Sequence, residues 1–197
     1  MPSCPNRMPV KTDILQELTD NELMSTIQSG DLKPMDELYR RYRQEVYAYL
    51  LGIHRRQALA EDLLQMIFIR VMKYAHRYQN GTNFRHWLFR LAKNVSKDHF
   101  LVKSNRPTED ISKLYQWSAG GRIADQEIIR RESHQLLHQA LEVLSPSERE
   151  VLVLSKLEGM KYVDIAEILD CSEGAVKVKV FRALKALRKV YLKLEKS

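Results

Sequence analysis

Apolar residues recur at helical spacing over most of the chain, and this pattern constrains the fold more than any other feature. Leu38, Tyr42, Val46 and Tyr49, for example, follow one another at intervals of three or four, which places them on one face of an α-helix. Residues that interrupt helices are scarce, with 7 glycines and 6 prolines among 197 residues. No stretch alternates apolar and polar residues as a half-buried strand does. The sequence therefore predicts an all-α fold.

Two small helical domains are predicted, over residues 14–103 and 125–197. The segment 104–124 lacks helical periodicity and contains the pair Gly120-Gly121, so we interpret it as a flexible linker. Residues 1–13 are expected to be disordered, and Met8 is an alternative start. Predicted helices run from a cap at Thr19 to about 29, then over about 34–53, 58–74, 84–102, 125–143, 146–157, 162–169 and 172–195.

Composition limits the partners without identifying one. The chain has 32 Lys and Arg against 25 Asp and Glu, a formal net charge of +7, which is consistent with an anionic partner. Cys4 and Cys171 are too far apart for a metal knuckle, so a reducing compartment is favoured. No apolar run approaches the ~20 residues that span a bilayer, and residues 1–13 lack a signal-peptide core. We expect a cytoplasmic protein with no cofactor, no metal and no membrane insertion.

A helix-turn-helix is predicted over residues 162–176. Ala166 supplies the small residue needed where the two helices nearly touch, and Ser172 can cap the second helix. Asp170 stands in the turn, where glycine is common, and aspartate adopts the left-handed conformation at some cost. Apolar residues surround these positions: Ile165, Ile168, Leu169 and Val176.

The second helix of this motif divides into two faces. Residues expected to pack inward are Val176, Val180, Ala183, Leu184, Leu187 and Tyr191. Residues 172–197 contain eight Lys and Arg but two Glu, an excess that suits phosphate contact. The N-terminal half of such a helix enters the major groove, and Arg182 is the best candidate for a bidentate guanine contact. Phe181 is either a reader or a core residue, and a solvated basic face that binds nothing is the alternative for the whole helix. The predicted DNA-contacting residues are Ser172, Glu173, Lys177, Val178, Phe181, Arg182 and Lys185.

Three segments together resemble the sigma-70 family of transcription initiation factors. Residues 60–71, AEDLLQMIFIRV, resemble region 2.2, and residues 84–98, FRHWLFRLAKNVSKD, resemble regions 2.3 and 2.4. Residues 144–152, LSPSEREVL, with the helix-turn-helix, resemble region 4. The order and spacing match the extracytoplasmic-function group, which keeps only regions 2 and 4. The resemblance implies binding to core RNA polymerase and promoter DNA.

The resemblance also implies a polymerase-binding face in region 2. The region 2.2 helix of such factors docks on the clamp helices of the polymerase β′ subunit, and region 4 reaches the β flap. The corresponding residues here are Asp62, Gln65, Met66, Ile69 and Arg70. Family members often have an acid at the position of Met66, so a more apolar contact is expected, although core filling is the alternative for this side chain. An anti-sigma factor is a further partner implied by the group.

Contacts with the minus-ten promoter element are implied for the loop at 78–84 and the helix after it. A polar loop can hydrogen-bond a flipped base while an aromatic side chain stacks on it. Residues 84–106 contain six Lys and Arg against Asp98 alone, which suits the backbone of the same strand. Trp87 is interpreted as core because it shares a face with Leu91. The predicted set is Tyr78, Asn80, Gly81, Asn83, Phe84, Arg90, Lys93, Asn94 and Lys97, and region 4 is expected to read the minus-thirty-five element.

Other classes remain as alternatives. A conventional helix-turn-helix regulator requires a sensor or receiver domain in place of residues 14–103, and no βα alternation indicates one. A metal-dependent hydrolase is suggested by Asp98-His99 with His54, His76 and His86, but these residues lack the spacing of a metal site. A sigma mimic or anti-sigma antagonist is disfavoured by the intact basic recognition helix.

Overall fold

The computed structural model describes residues 15–103, 139–141 and 143–194, and all regular structure in these ranges is helical. The helices are α1 (Asp20–Gln28), α2 (Pro34–His54), α3 (Gln57–Tyr74), a 3-10 turn (Ala75–Arg77), α4 (Phe84–Lys103), α5 (Pro146–Leu152), a π-helical turn (Val153–Leu157), α6 (Tyr162–Leu169) and α7 (Glu173–Leu194). The predicted all-α fold is confirmed. The predicted extension, the linker and most of the helix over 125–143 lie outside the described residues.

Helix ends in the first group, α1–α4, follow from local side-chain chemistry. The Thr19 side chain accepts a hydrogen bond from the Glu22 amide, and the Glu22 carboxylate accepts one from the Thr19 amide, so the predicted capping box is present. Pro34 opens α2, where a missing amide hydrogen costs nothing. Arg55 ends α2 in the left-handed conformation, with φ 57° and ψ 23°.

The core of the first group lies where α1–α4 meet. The ring of Tyr49 on α2 packs edge-on against Phe89 on α4, with centroids 5.3 Å apart, and Tyr39 packs in the same way on Phe68 of α3 at 4.8 Å. Val71 and Ile67 of α3 are fully buried. The neighbouring Met72 is 39% exposed, because it lies one step beyond the stripe that α2 and α4 cover.

The second group, α5–α7, also begins and turns where the sequence predicts. Ser145 and Glu148 form a second capping box, with Pro146 in the first turn. Asp170 ends α6 in the left-handed conformation, at φ 55° and ψ 54°. Val176, Val180 and Ala183 of α7 are buried. Leu184 was predicted to pack inward but is 40% exposed, because α5 and α6 cover a narrower stripe of α7 than its apolar periodicity suggests.

The two groups of helices pack against each other through α2 and α4 on one side and α5, the π-helical turn and α6 on the other. The Tyr49 hydroxyl donates to Oε1 of Glu150 at 2.8 Å, and the Arg149 guanidinium donates to the Ile53 carbonyl at 2.8 Å. At Gly52 the backbone approaches so closely that an added Cβ would lie 2.8 Å from Cγ2 of Val153. The sequence predicted two domains but none of these contacts between them.

Candidate nucleic-acid interface

The helix-turn-helix is formed by α6, the turn at residues 170–172 and α7. Ala166 is 8% exposed, so the two helices approach closely at its small side chain. The Cys171 amide donates to the Ala166 carbonyl at 3.0 Å across the turn. The Ser172 hydroxyl accepts from the Ala175 amide at 3.2 Å, which is the predicted cap. The turn therefore fixes the direction in which α7 leaves α6.

The N-terminal half of α7 presents the predicted reading face to solvent. Phe181 is 68% exposed and Val178 is 48% exposed, so the core alternative for Phe181 is wrong. Nζ of Lys177 lies 2.8 Å from the Glu173 carboxylate, which raises the pKa of that lysine. All seven predicted residues are exposed: Ser172, Glu173, Lys177, Val178, Phe181, Arg182 and Lys185.

The loop before α4 is held on α1 by side-chain hydrogen bonds. Oδ1 of Asn21 lies 2.6 Å from the Tyr78 hydroxyl and accepts from the Gly81 amide at 3.1 Å. The Gln28 amide group donates to the Tyr78 carbonyl at 2.7 Å. Gly81 has φ +91°, a conformation that favours glycine. The loop is therefore a fixed polar platform, and Asn80 and Gly81 lie exposed on it.

Two aromatic residues of the predicted minus-ten set are buried. Tyr78 is 3% exposed and Phe84 is 2% exposed, with their ring centroids 5.9 Å apart. Trp87 packs on both rings, at 5.4 Å and 5.9 Å, in line with its interpretation as core. The prediction that Tyr78 or Phe84 stacks on a base is corrected: both rings stabilise the loop from beneath because α1 and α4 enclose them.

The other members of that set occupy two faces of α4. Asn83 precedes the helix, and its Oδ1 accepts from the His86 amide at 3.3 Å, so part of its hydrogen-bonding capacity caps α4. Arg90, Asn94 and Lys97 are exposed. Lys93 instead faces α6 and donates to the Ile168 carbonyl at 3.2 Å.

The predicted polymerase-binding face of α3 is accessible to solvent and has two apolar side chains among its polar ones. Ile69 is 58% exposed and Met66 is 44% exposed, so core filling is wrong for Met66. Asp62 and Gln65 are exposed on the same helix. Arg70 lies at the border of this face, where its guanidinium donates to Asp98 of α4 at 2.9 Å.

Among the described residues, no group of three or more His, Cys, Asp or Glu side chains is arranged to hold a metal ion. No described helix is both long and apolar enough to cross a membrane. An exposed, basic helix-turn-helix beside a second helical group with a basic helix of its own defines a DNA-binding protein.

Comparison with known proteins identifies the family. The family model for sigma-70 region 2 matches residues 38–106, and the model for sigma-70 region 4 matches residues 134–187. The extracytoplasmic-function RNA polymerase sigma-E factor of Haemophilus influenzae is 30% identical over 176 residues, covering 85% of this chain and 93% of that protein. The RNA polymerase sigma-H factor of Pseudomonas aeruginosa is 26% identical, covering 89% and 95%.

A solved structure shares the fold. The sigma factor RpoE of Bartonella quintana, solved with the anti-sigma factor NepR, superposes with a TM-score of 0.61 at 21% identity, covering 78% of this chain and 96% of that one. The chain therefore belongs to the sigma-70 family, in its extracytoplasmic-function group. It is a sigma factor that directs the initiation of transcription, and sigma factors are non-catalytic partners of RNA polymerase.

Sequence reasoning missed the residues that join the two groups of helices. His86 was considered only as a member of a metal site, yet its Nδ1 lies 3.1 Å from the Glu167 carboxylate and its Nε2 lies 3.4 Å from that of Asp164. Arg85 pairs with Glu45 at 2.7 Å and donates to the Glu158 carbonyl at 3.3 Å. No local pattern marks these partners because 73 or more residues separate those on opposite sides of the interface.

Proposed function

We propose that residues 14–103 are the unit that binds core polymerase and opens the minus-ten element, and that residues 125–197 read the minus-thirty-five element. Residues 104–124 join them. The observation that carries the proposal is the exposed N-terminal half of α7, where Phe181 and Arg182 project into solvent beside a correctly capped turn. A helix so placed can enter a major groove without rearrangement of its own domain.

Within this proposal, Arg182 reads a base pair and its neighbours position the helix. A guanidinium can donate two hydrogen bonds to O6 and N7 of guanine, and such a pair discriminates against the wrong base by ~1–3 kcal/mol. The exposed Lys177 and Lys185 face the same side of α7 and are suited to phosphate contact. Phe181 and Val178 supply apolar contact to thymine methyl groups.

For the minus-ten element we retain the exposed members of the predicted set: Asn80, Gly81, Asn83, Arg90, Asn94 and Lys97. The amide groups of Asn80 and Asn83 can bond a flipped base edge above the loop, and the two basic side chains can follow the strand's phosphates. Lys93 joins this set only when α6 moves away, since it is bonded to Ile168 in this structure.

The polymerase contact is assigned to α3. Exposed Met66 and Ile69 form an apolar centre, with Asp62, Gln65 and Arg70 at its polar edge. This arrangement fits the anatomy of a protein interface, which has an apolar core and a polar rim. We assign the face to the clamp helices of the β′ subunit and region 4 to the β flap. We also propose that the protein acts in the cytoplasm, that it has no enzymatic activity of its own, and that an anti-sigma factor binds it, as NepR binds its relative.

Run-off transcription tests the proposal. Core polymerase with this protein should initiate from one class of promoter on fragmented genomic DNA, and polymerase alone should not. On a promoter found in this way, Arg182→Ala should weaken binding by ~1–3 kcal/mol and relax selectivity at one base pair. Arg188→Ala is the matched control, because Arg188 is exposed on the same helix but outside its N-terminal half. Equal losses for both variants would contradict base reading by Arg182.

A further inference from the structure

The loop before α4 contains a tight turn with Asn80 and Gly81 at its centre. The Thr82 amide donates to the Gln79 carbonyl at 3.1 Å, and the Thr82 hydroxyl donates to the same oxygen at 2.7 Å. A hydrogen bond from the fourth residue to the first is typical of a β-turn. Gly81 is the third residue and has φ +91°, as in a type II turn. The loop therefore presents Asn80 at the exposed corner of this turn.

Type I and type II turns differ in the direction of the peptide between their two central residues. Rotation of that peptide by about half a turn converts one type into the other. Here it is the peptide that joins Asn80 to Gly81. The amide and the carbonyl of a trans peptide point in opposite directions, so a Gly81 amide that points to α1 leaves the Asn80 carbonyl pointing away from α1.

Asn21 of α1 holds this peptide in one direction. Its Oδ1 accepts from the Gly81 amide at 3.1 Å and lies 2.6 Å from the Tyr78 hydroxyl. The start of α1 is itself anchored on α2, because the carboxylate of Asp20 pairs with the guanidinium of Arg41 at 2.8 Å. Asn21 precedes Gly81 by 60 residues, so the direction of the peptide is set from a distant part of the chain.

The burial of the Tyr78 ring does not depend on Asn21 alone. The ring packs on Trp87 with centroids 5.4 Å apart, and the Tyr78 hydroxyl also lies 2.7 Å from the Thr82 carbonyl. The side chain of Gln28 donates to the Tyr78 carbonyl at 2.7 Å. Loss of the Asn21 side chain should therefore leave the loop in place but free the peptide between its two central residues.

We propose that Asn21 is a positioning residue for the minus-ten element, which fixes the Asn80–Gly81 peptide so that the loop meets an unpaired base with one set of hydrogen-bonding groups. This inference rests on the proposed role of the loop in strand binding. Contacting groups discriminate best when a supporting residue locks them in place. Asn21 lies outside residues 38–106, which match the region 2 family model, and it acts without touching DNA.

Transcription from templates with a pre-opened minus-ten segment measures this role. The templates derive from a promoter found by run-off transcription and carry each of the four bases at each unpaired position. Core polymerase with the original protein should prefer one base at one position. Asn21→Ala should lower that preference by at least about fivefold, the lower end of what a base-edge contact supplies. Ser25→Ala, an exposed position one turn further along α1, is the matched control and should leave the preference unchanged.

A conservative variant tests whether the side-chain oxygen is what matters. Asn21→Asp keeps an oxygen that can accept from the Gly81 amide, so it should restore the base preference. Its added charge acts on the phosphates of all templates alike, so it changes overall affinity but not the ratio between bases. Loss of structure in Asn21→Ala would likewise lower transcription from all four templates together and leave that ratio unchanged.

Gly81→Ala addresses the same peptide from the other side. Alanine disfavours φ +91°, so this change favours the opposite direction of the peptide, and an added Cβ would meet no atom within 4 Å. Gly81→Ala should lower the base preference as Asn21→Ala does. The two changes act on one peptide, so the double variant should lose no more preference than either single variant.

An unchanged base preference in Asn21→Ala would overturn the proposal, and so would a loss that Asn21→Asp does not restore. Additive losses in the double variant would show that Asn21 does not act through the Asn80–Gly81 peptide, which also overturns it. Failure of the proposed function gives a different result. The original protein would then show no base preference at any pre-opened position, and both proposals would fall together.

Discussion

Replacing Tyr49 by phenylalanine should weaken the packing between α1–α4 and α5–α7 by ~1–3 kcal/mol, the cost of leaving a buried polar group without its partner. Tyr49 is fully buried, and its hydroxyl donates to Oε1 of Glu150 at 2.8 Å. Phenylalanine keeps the edge-on packing against Phe89 at 5.3 Å, so the hydrogen bond is the main loss. Burial raises the pKa of Glu150, while the Tyr49 hydroxyl and the charge of Lys93 lower it. Without the tyrosine, the carboxyl can take up a proton, which limits the cost.

The assay combines urea unfolding with energy transfer between fluorophores attached at Gln44→Cys and Lys189→Cys, two exposed positions on opposite groups of helices. A loss of 1.4 kcal/mol corresponds to about a tenfold change in the ratio of molecules with packed groups to molecules with separated groups, which energy transfer resolves. Tyr74→Phe is the matched control, because the Tyr74 ring lies beside Lys73 and Arg77 of its own segment. If Tyr49→Phe lowered overall stability but left energy transfer unchanged, the hydrogen bond would not hold the two groups together, and the reasoning would be refuted.

Two further predictions concern pH. The hydrogen bond from Arg40, with a further one from Arg41, lowers the pKa of Glu37 to about 2, so its contribution of at most ~3 kcal/mol is present above pH ~4.5 and is lost as pH falls toward 2. Glu37→Gln should flatten the dependence of the free energy of unfolding on pH below 4.5, and identical profiles would contradict this. Burial, with the charge of Glu45, raises the pKa of Glu158 to about 7, so the packing between α1–α4 and α5–α7 should lose up to ~3 kcal/mol as pH rises from about 4.5 through 7. Energy transfer that falls over this range in the original protein but not in Glu158→Gln would verify it; a fall that persists in the variant would exclude Glu158 as the cause.

Features governed by neighbouring residues could be predicted from the sequence. Capping at Thr19 and Ser145 depends on a glutamate three positions later, and both boxes are present. The left-handed Asp170 follows from the geometry of a tight turn between two helices. Burial was less predictable, because periodicity identifies the apolar face of a helix but not the width of the neighbour that covers it. Leu184 and Met72 belong to apolar stripes, yet no described neighbour covers either side chain fully.

The residue types of the candidate site could be predicted from the sequence, but which of those side chains are exposed could be predicted less well. Residues of α7 that lie outside its apolar stripe are expected to face solvent, and those around Arg182 are exposed in the structure. Tyr78 and Phe84 have the right residue type for base stacking, but Asn21 and Gln28 of α1 hold the loop so that both rings point inward. These partners are more than 45 residues away from Tyr78 in the sequence, so no local sequence pattern indicates the contact.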